Sequence, residues 1–455
     1  MKELTNTSKD DPSNPFIENG IMSIEIKHKE INATGQDIFA LCERLYPICR
    51  SITGDGVRQT LAILQEYIGL ETHEVPSGTA VFDWTVPKEW NIKDAWIKDA
   101  KGNKIVDFKN HNLHILNYSI PVHKKISLTA LKEHLYTLPD QPDLIPYRTS
   151  YYAENWGFCI THHQFQSLEE GDYEVYIDTT LDQGHLTYGE LYLPGATADE
   201  ILFSVHICHP SLANDNLSGI SILTCLAQWL SKQKNRYSYR FLFIPGTIGS
   251  ITWLARNEQK TKNIKHGLVA SLLGDPGGFT YKKSRQGDAE IDRVASHLIQ
   301  YAGYSGKIID FIPYGYDERQ FCSPGFNLAV GNLTRSQFGE YPEYHTSADD
   351  LNLIQPACLS ESFQLYQDVI EILEHNLFYK NLYPKCEPQL GKRGLYNAIG
   401  GNAQSKEMQM AMLWILNLAD GNHNLLDIAE RSGCSFQLIS KVAQILLEHK
   451  LLKIV

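Results

Sequence analysis

Residues 36–69, QDIFALCERLYPICRSITGDGVRQTLAILQEYIG, carry apolar side chains at helical spacing and break at Gly54 and Gly56. The spacing predicts two helices around a turn. From about Ala80 the period shortens. VFDWTVPKEW, DAWIKDAKGNKIVDF and NLHILNYSIPVHKKISL alternate short apolar runs with turn residues, which predicts a small β-rich unit. KGNK at 101–104 is its expected hairpin turn. Trp84, Trp90 and Trp96 are expected to make up much of its core, with an aromatic ligand platform as the alternative. YRTSYY and WGFC, between 147 and 159, are expected to return the chain to the main body. Their aromatic side chains are expected to pack there, or to form one wall of a pocket.

From DYEVYIDTTL (172–181) and HLTYGELYLPG (185–195) onward, strand and helix signals alternate. DEILFSVHI, YRFLFIPG, HGLVASLLGD and NLAVGNL read as strands. LSGISILTCLAQWLSKQ, SITWLARNEQK, AEIDRVASHLIQYAG and PACLSESFQLYQDVIEILEHNL read as helices. The expectation is an α/β fold, a mostly parallel mixed sheet with helices on both faces. Ligands in such sheets bind outside the carboxyl ends of the strands. After Pro384 a Gly- and Asn-rich stretch reads as a linker, and MQMAMLWILNLAD, LLDIAERSG and FQLISKVAQILLEHK read as a winged helix. The expected domains are a flexible extension over 1–34, a main domain over 35–79 and 157–385, an inserted β-rich domain over 80–156, and a linker with the winged helix over 386–455.

Composition narrows the partners. At 455 residues the chain exceeds one ordinary core. With 43% hydrophobic and 21% charged residues it is globular rather than disordered. A formal charge of −12 argues against wholesale binding to nucleic acid or an anionic membrane. No apolar run is long enough for a transmembrane helix. The polar N-terminus, MKELTNTSKDDPSNPFIENG, lacks the apolar core of a signal peptide. Nine cysteines, an odd number without a framework, point to reduced thiols and a cytoplasmic location. Within the winged helix, Lys406, Arg431, Lys441, Lys450 and Lys453 are matched by Glu407, Asp420, Asp427, Glu430 and Glu448. Its last helix holds Lys441 as the one base, so contact with a protein partner or a second copy is favoured over DNA.

The chemistry concentrates in SVHICHPSLANDNLSG, 204–219. The strand delivers His206 to the sheet edge, where an imidazole suits zinc. Asp215 follows just before an apolar helix, whose dipole favours a carboxylate. Asp275 ends a later strand, and His345 lies in the loop YPEYHTSADD before the last long helix. All four fall at strand ends or loops on one expected face.

These features resemble the di-zinc aminopeptidase fold of peptidase clan MH, which includes leucyl aminopeptidases and glutaminyl cyclases. More closely, FDWTVPKEW, IPYRTSYYAENWGFC, HICHPSLANDNLSG, YDERQF and YPEYHTSADD resemble a bacterial aminopeptidase-like family with an inserted β domain and a C-terminal winged helix. The resemblance implies that His206, Asp215, Asp275 and His345 bind zinc, and that the Asp215–Asn216 peptide is cis. Two departures stand out. Cys208 occupies the place of a supporting Asp, and Gly246 and Thr247 occupy the place of a Glu-Glu pair that supplies the general base and a ligand. A single zinc ion is therefore expected rather than a pair. Within YGYDERQF, Asp317 and Glu318 are candidate catalytic carboxylates, with Glu318 as substitute base. Arg319 is a candidate for holding a substrate carboxylate. His209 and Glu343 are further candidates for substrate contact. The expected function is a zinc-dependent aminopeptidase-like hydrolase acting on a small peptide or amide. The alternative is a catalytically impaired metal-pocket binding protein whose winged helix recruits a partner.

Overall fold

The computed structural model describes residues 28–30, 33–395 and 403–455. Most of the extension expected over 1–34, and 396–402 of the expected linker, lie outside these residues. The main sheet has eight strands: β1 (Glu71–Pro76), β2 (His185–Leu193), β3 (Glu200–His206), β4 (Ser238–Ile244), β5 (Ile264–Ala270), β6 (Phe279–Lys282), β7 (Gly306–Ile309) and β8 (Val330–Thr334), in the order β1-β2-β4-β3-β5-β8-β6-β7. The central strands β4, β3, β5 and β8 run parallel, as β6 and β7 do to each other. The pairs β1/β2, β2/β4 and β8/β6 are antiparallel.

Every residue of β3 and β4 is buried, because both faces of the sheet are covered. On one face lie α1 (Gly35–Leu45), α3 (Gly219–Leu230), α5 (Glu290–Tyr301) and α6 (Pro356–His375). Phe203 on β3 stacks on Phe241 of β4 at 5.3 Å and meets Tyr366 of α6 at 6.1 Å. The helices α2 (Asp55–Leu64) and α4 (Ile248–Asn257) complete the set around the main sheet.

The opposite face carries α4 and, beside it, the β-rich insert. Leu202, Leu242 and Val330 share one apolar cluster with Trp90, Ala95, Ile97 and Val175, so the β-rich insert has no separate core. Its four antiparallel strands are ordered Lys104–Asp107, Glu89–Lys98, Asp172–Asp182, Val122–Ser127. The third of these lies beyond residue 156, so the insert closes after Asp182. Pattern alone could not place that boundary, because a strand's partner is not written in its own sequence. The expected hairpin at 101–104 is present, with Gly102 at a φ of +85°. Of the three tryptophans, only Trp90 is buried in the core; Trp96 is half-buried under Lys98 and Trp84 is exposed.

The C-terminal unit begins earlier than expected. Strand Phe378–Asn381 lies between Asp420–Asn424 and Leu452–Ile454 in a three-stranded sheet, joined to α7 (Ala403–Leu418), α8 (Leu425–Ser432) and α9 (Phe436–Glu448). The unit docks on α5. Arg293 pairs with Asp427 and Glu430, and the His297 ring accepts the Phe436 N–H at 3.1 Å. In the expected linker, Leu390 and Leu395 are buried. Among the described residues no helix is long and apolar enough to cross a membrane.

Phe203→Ala removes the ring on which β3, β4 and α6 converge. It should destabilise the fold by about 3–5 kcal/mol, read as a lower urea midpoint; an unchanged midpoint would mean that this layer does not carry the fold.

Candidate metal centre

Strand β3 carries His206, almost fully buried, to the carboxyl end of the sheet. The chain then passes Ser211, at a φ of +44°, into an irregular turn over Ala213–Ser218 that leads into α3. Asp215 in this turn has non-helical backbone angles and no exposed surface, and its peptide bond to Asn216 is cis. Two side chains hold the turn. The Asp349 carboxylate accepts the N–H groups of Asn214 (2.6 Å) and Asp215 (3.0 Å). The Asn216 amide donates to the carbonyl of Ala270 at the end of β5 (2.9 Å) and to Nδ1 of His206 (3.3 Å), and accepts the Gly219 N–H. With the Asn216 amide pinned at both ends, Nε2 of His206 faces Asp215.

The Asp215 carboxylate lies between two imidazoles. His206 Nε2 is 2.8 Å from Oδ1 and His345 Nε2 is 3.0 Å from Oδ2. Tyr316 stacks on His206 at 4.8 Å and donates its hydroxyl to Oδ1 at 3.2 Å. His345, at a φ of +56°, is held by stacking on Tyr344 at 3.9 Å and by its carbonyl, which accepts the Tyr147 N–H. The His209 ring sits 4.6 Å from that of His206 and 5.4 Å from that of His345. Burial opposes ionisation of Asp215, but the surrounding imidazoles of His209, His206 and His345 hold its carboxyl well below the usual range. Burial likewise keeps His209 neutral, well below its ordinary value. Ligand atoms of His206, His209 and Asp215 lie within 4.8 Å of one another. Imidazoles around a buried carboxylate form a donor set that zinc accepts.

Other candidates lie elsewhere. Asp275 is absent from this cluster: its carboxylate accepts Ser336 Oγ, the N–H groups of Gly277 and Ser336, and Nδ2 of Asn214. These partners, not an imidazole, satisfy Asp275, which strand-end position alone does not reveal. Glu318 has no exposed surface and pairs with Lys282, itself buried, which removes it as a free base. Asp317 accepts the Thr247 N–H (2.6 Å) and the Ser250 hydroxyl (3.0 Å) at the start of α4, while burial raises its carboxyl above the ordinary value. It positions the loop rather than facing solvent. Arg319 reaches Thr247 Oγ1 at 3.4 Å and, among the described residues, has no carboxylate partner. Glu343 supplies its carbonyl to the Thr346 N–H and hydroxyl, which tightens the turn around His345.

Gly246, where the resemblance places a glutamate, has room for a side chain. A Cβ at Gly246 would meet Cys208 Sγ at 3.5 Å and His206 Cβ at 3.6 Å, both ordinary contacts. The Cys208 thiol accepts the Gly246 N–H, and burial pushes it up to about 12, so it stays protonated. Thr247 holds a φ of +61°, unusual for a β-branched residue.

Sequence reasoning missed Tyr316, Asp349, Asn216 and Arg50. Asp349 was visible only as one of two aspartates after His345. Arg50, with no exposed surface, donates to the carbonyls of His209 and Leu45; nothing in CRSIT sets it apart from a surface arginine.

Comparison with known proteins bears on this geometry. Residues 39–376 match the model of a domain of unknown function, DUF4910, and 377–454 match a winged helix-turn-helix model. A Clostridium acetobutylicum protein, provisionally described as a polysaccharide biosynthesis protein with an aminopeptidase-like domain, is 54% identical over 422 residues, covering 93% of this chain and 97% of its own. A crystal structure of a provisionally assigned peptidase from Clostridium acetobutylicum is 53% identical with a TM-score of 0.88, covering 92% of this chain and 96% of its own. The Bacillus subtilis zinc aminopeptidase BSAP shares the fold at 13% identity and a TM-score of 0.56, covering 76% of this chain and 96% of its own. The fold is therefore aminopeptidase-like, with a winged helix appended.

Glu318→Gln would leave the Lys282 ammonium buried without a counter-charge. It should lower stability by about 3–5 kcal/mol, measured by urea denaturation. Stability held at the parent value would show that Glu318 is free for another role.

Proposed function

The chain belongs to the DUF4910 family, and on that premise we propose that its sheet-edge cluster is a single-zinc centre of the aminopeptidase type, addressed to a small peptide or amide, whose hydrolytic step lacks a carboxylate base. The observation that carries this reading is the convergence of His206 and His345 on the two oxygens of Asp215. His206, Asp215 and His345 would hold the ion, with His209 beside them. A zinc ion there supplies Lewis acidity toward an amide carbonyl.

The chain's own groups do the rest. Asp349 and Asn216 keep the Asp215 turn and the His206 ring aligned before any ligand arrives. Tyr316 and Tyr344 close over the imidazoles and exclude water from their faces. Arg319, without a carboxylate partner among the described residues, offers a fork to a substrate carboxylate, and Glu343 offers a carboxylate to a substrate ammonium. With Asp275, Asp317 and Glu318 engaged elsewhere, a second zinc lacks ligands and an attacking water lacks an acceptor for its proton.

That lack favours a second reading, in which the centre binds its ligand without turning it over and the winged helix recruits a protein partner. The exposed apolar side chains Phe378, Leu382, Tyr383 and Ile454 on and beside the wing sheet support a protein rather than a nucleic acid there.

Two measurements test the proposal. Elemental analysis of purified protein should give about one zinc per chain, and Asp215→Asn should reduce that content at least about tenfold, because outer and inner carboxylates of such sites carry affinity of that order. Zinc content that survives this substitution would sink the assignment. Gly246→Glu places a carboxyl beside His206 in space that accepts it. It should raise hydrolysis of aminoacyl anilides by about 10²–10⁴-fold, and an unchanged rate would show that the base does not belong at this strand end.

A further inference from the structure

The insert contributes an aromatic wall that leads from solvent to the metal centre. A short hairpin, Ala80–Val81 with Trp84–Thr85, turns through Phe82 and Asp83. Two-residue hairpin turns favour Asn or Gly, yet this one holds Phe82 at a φ of +54°. Phe82 is 55% exposed, Trp84 41% and Tyr152 49%. Single exposed rings are ordinary; a connected set beside a candidate active centre is not.

Their connection to the centre is continuous. Trp84 meets Tyr152 at 5.4 Å, Tyr152 meets Tyr151 at 6.4 Å, the hydroxyls of Tyr151 and Tyr147 lie 3.0 Å apart, and Tyr147 meets His345 at 5.1 Å. At its tip, Phe82 packs edge-on against Phe326, a few residues beyond Arg319. The hairpin therefore stands at the outer end of a chain of ring contacts whose inner end is His345. A cavity of about 340 Å³ beside Tyr152 is lined mainly by apolar side chains, among them Val86, Pro87 and Leu181, together with Ser77, Gln183 and the ion pair of Lys88 and Glu154.

We propose that this wall and cavity form a saccharide subsite, and that the amide presented to the centre is carried on a sugar. This deepens the hydrolase-type reading given above and rests on it for the amide. A sugar ring has an apolar face of C–H groups and a polar edge of hydroxyls. Open aromatic faces next to hydroxyl, amide and charged side chains meet both at once. An apolar peptide side chain is received instead by an enclosed pocket, and the rings of Phe82, Trp84 and Tyr152 are open to solvent.

The test uses the full chain and tri-N-acetylchitotriose as probe, followed by titration calorimetry and by saturation-transfer NMR. Native protein should bind it, and Trp84→Ala combined with Tyr152→Ala should weaken binding at least about tenfold while leaving zinc content unchanged. Both rings are on the surface, so an unchanged circular dichroism spectrum will show that the double variant folds. Asp215→Asn separates the two readings: it should lose zinc yet keep the sugar. No saccharide signal from native protein, or equal binding by the double variant, would overturn the subsite. So would a Phe-Gly-Gly tripeptide that takes the same rings in place of the sugar.

Discussion

A carboxylate with no access to water, Asp215, must find partners inside the protein or lose its charge. It finds them in the imidazoles of His206 and His345, one on each oxygen, and in the hydroxyl of Tyr316. Those three groups come from a strand end, a loop before the last long helix, and a turn between β7 and β8. Their meeting depends on the strand order, which places β3 at the centre of the sheet with its carboxyl end open. Around Asp215 the backbone takes rare conformations at Ser211, Thr247 and His345. Such conformations persist only where the surroundings over-determine them, and they collect at functional sites.

The support beneath this centre is polar and nearly complete. Asp349 grips the turn by two N–H groups, and Asn216 ties His206 to β5. Asn214 and Ser336 absorb Asp275. The carboxylates of Asp275, Asp317 and Glu318 are thus bound into the scaffold, and Gly246 carries no side chain.

The insert and the winged helix are tied to this body by different physics. The insert shares its apolar cluster with the sheet. The winged helix docks on α5 by an arginine with two carboxylates and by one histidine hydrogen bond, beside buried side chains such as Leu425 and Phe436.

The sequence by itself determined the elements and the rim. Runs such as EILFSVH and SYRFLFI read as buried strands because their apolar character is continuous, and His206, Asp215 and His345 stand out because metal-capable groups recur at loop and strand-end positions. The cis bond after Asp215 was likewise implied by resemblance and is present. Only the tertiary structure decided which carboxylates are free. Asp275, Asp317 and Glu318 look alike along the chain, yet Ser336, Thr247 and Lys282, distant or unremarkable in sequence, each claim one of them. The closing strand of the insert and the first strand of the winged helix were hidden for the same reason. A short-range pattern records what a segment prefers, whereas pairing and charge neutralisation depend on what the folded chain brings beside it.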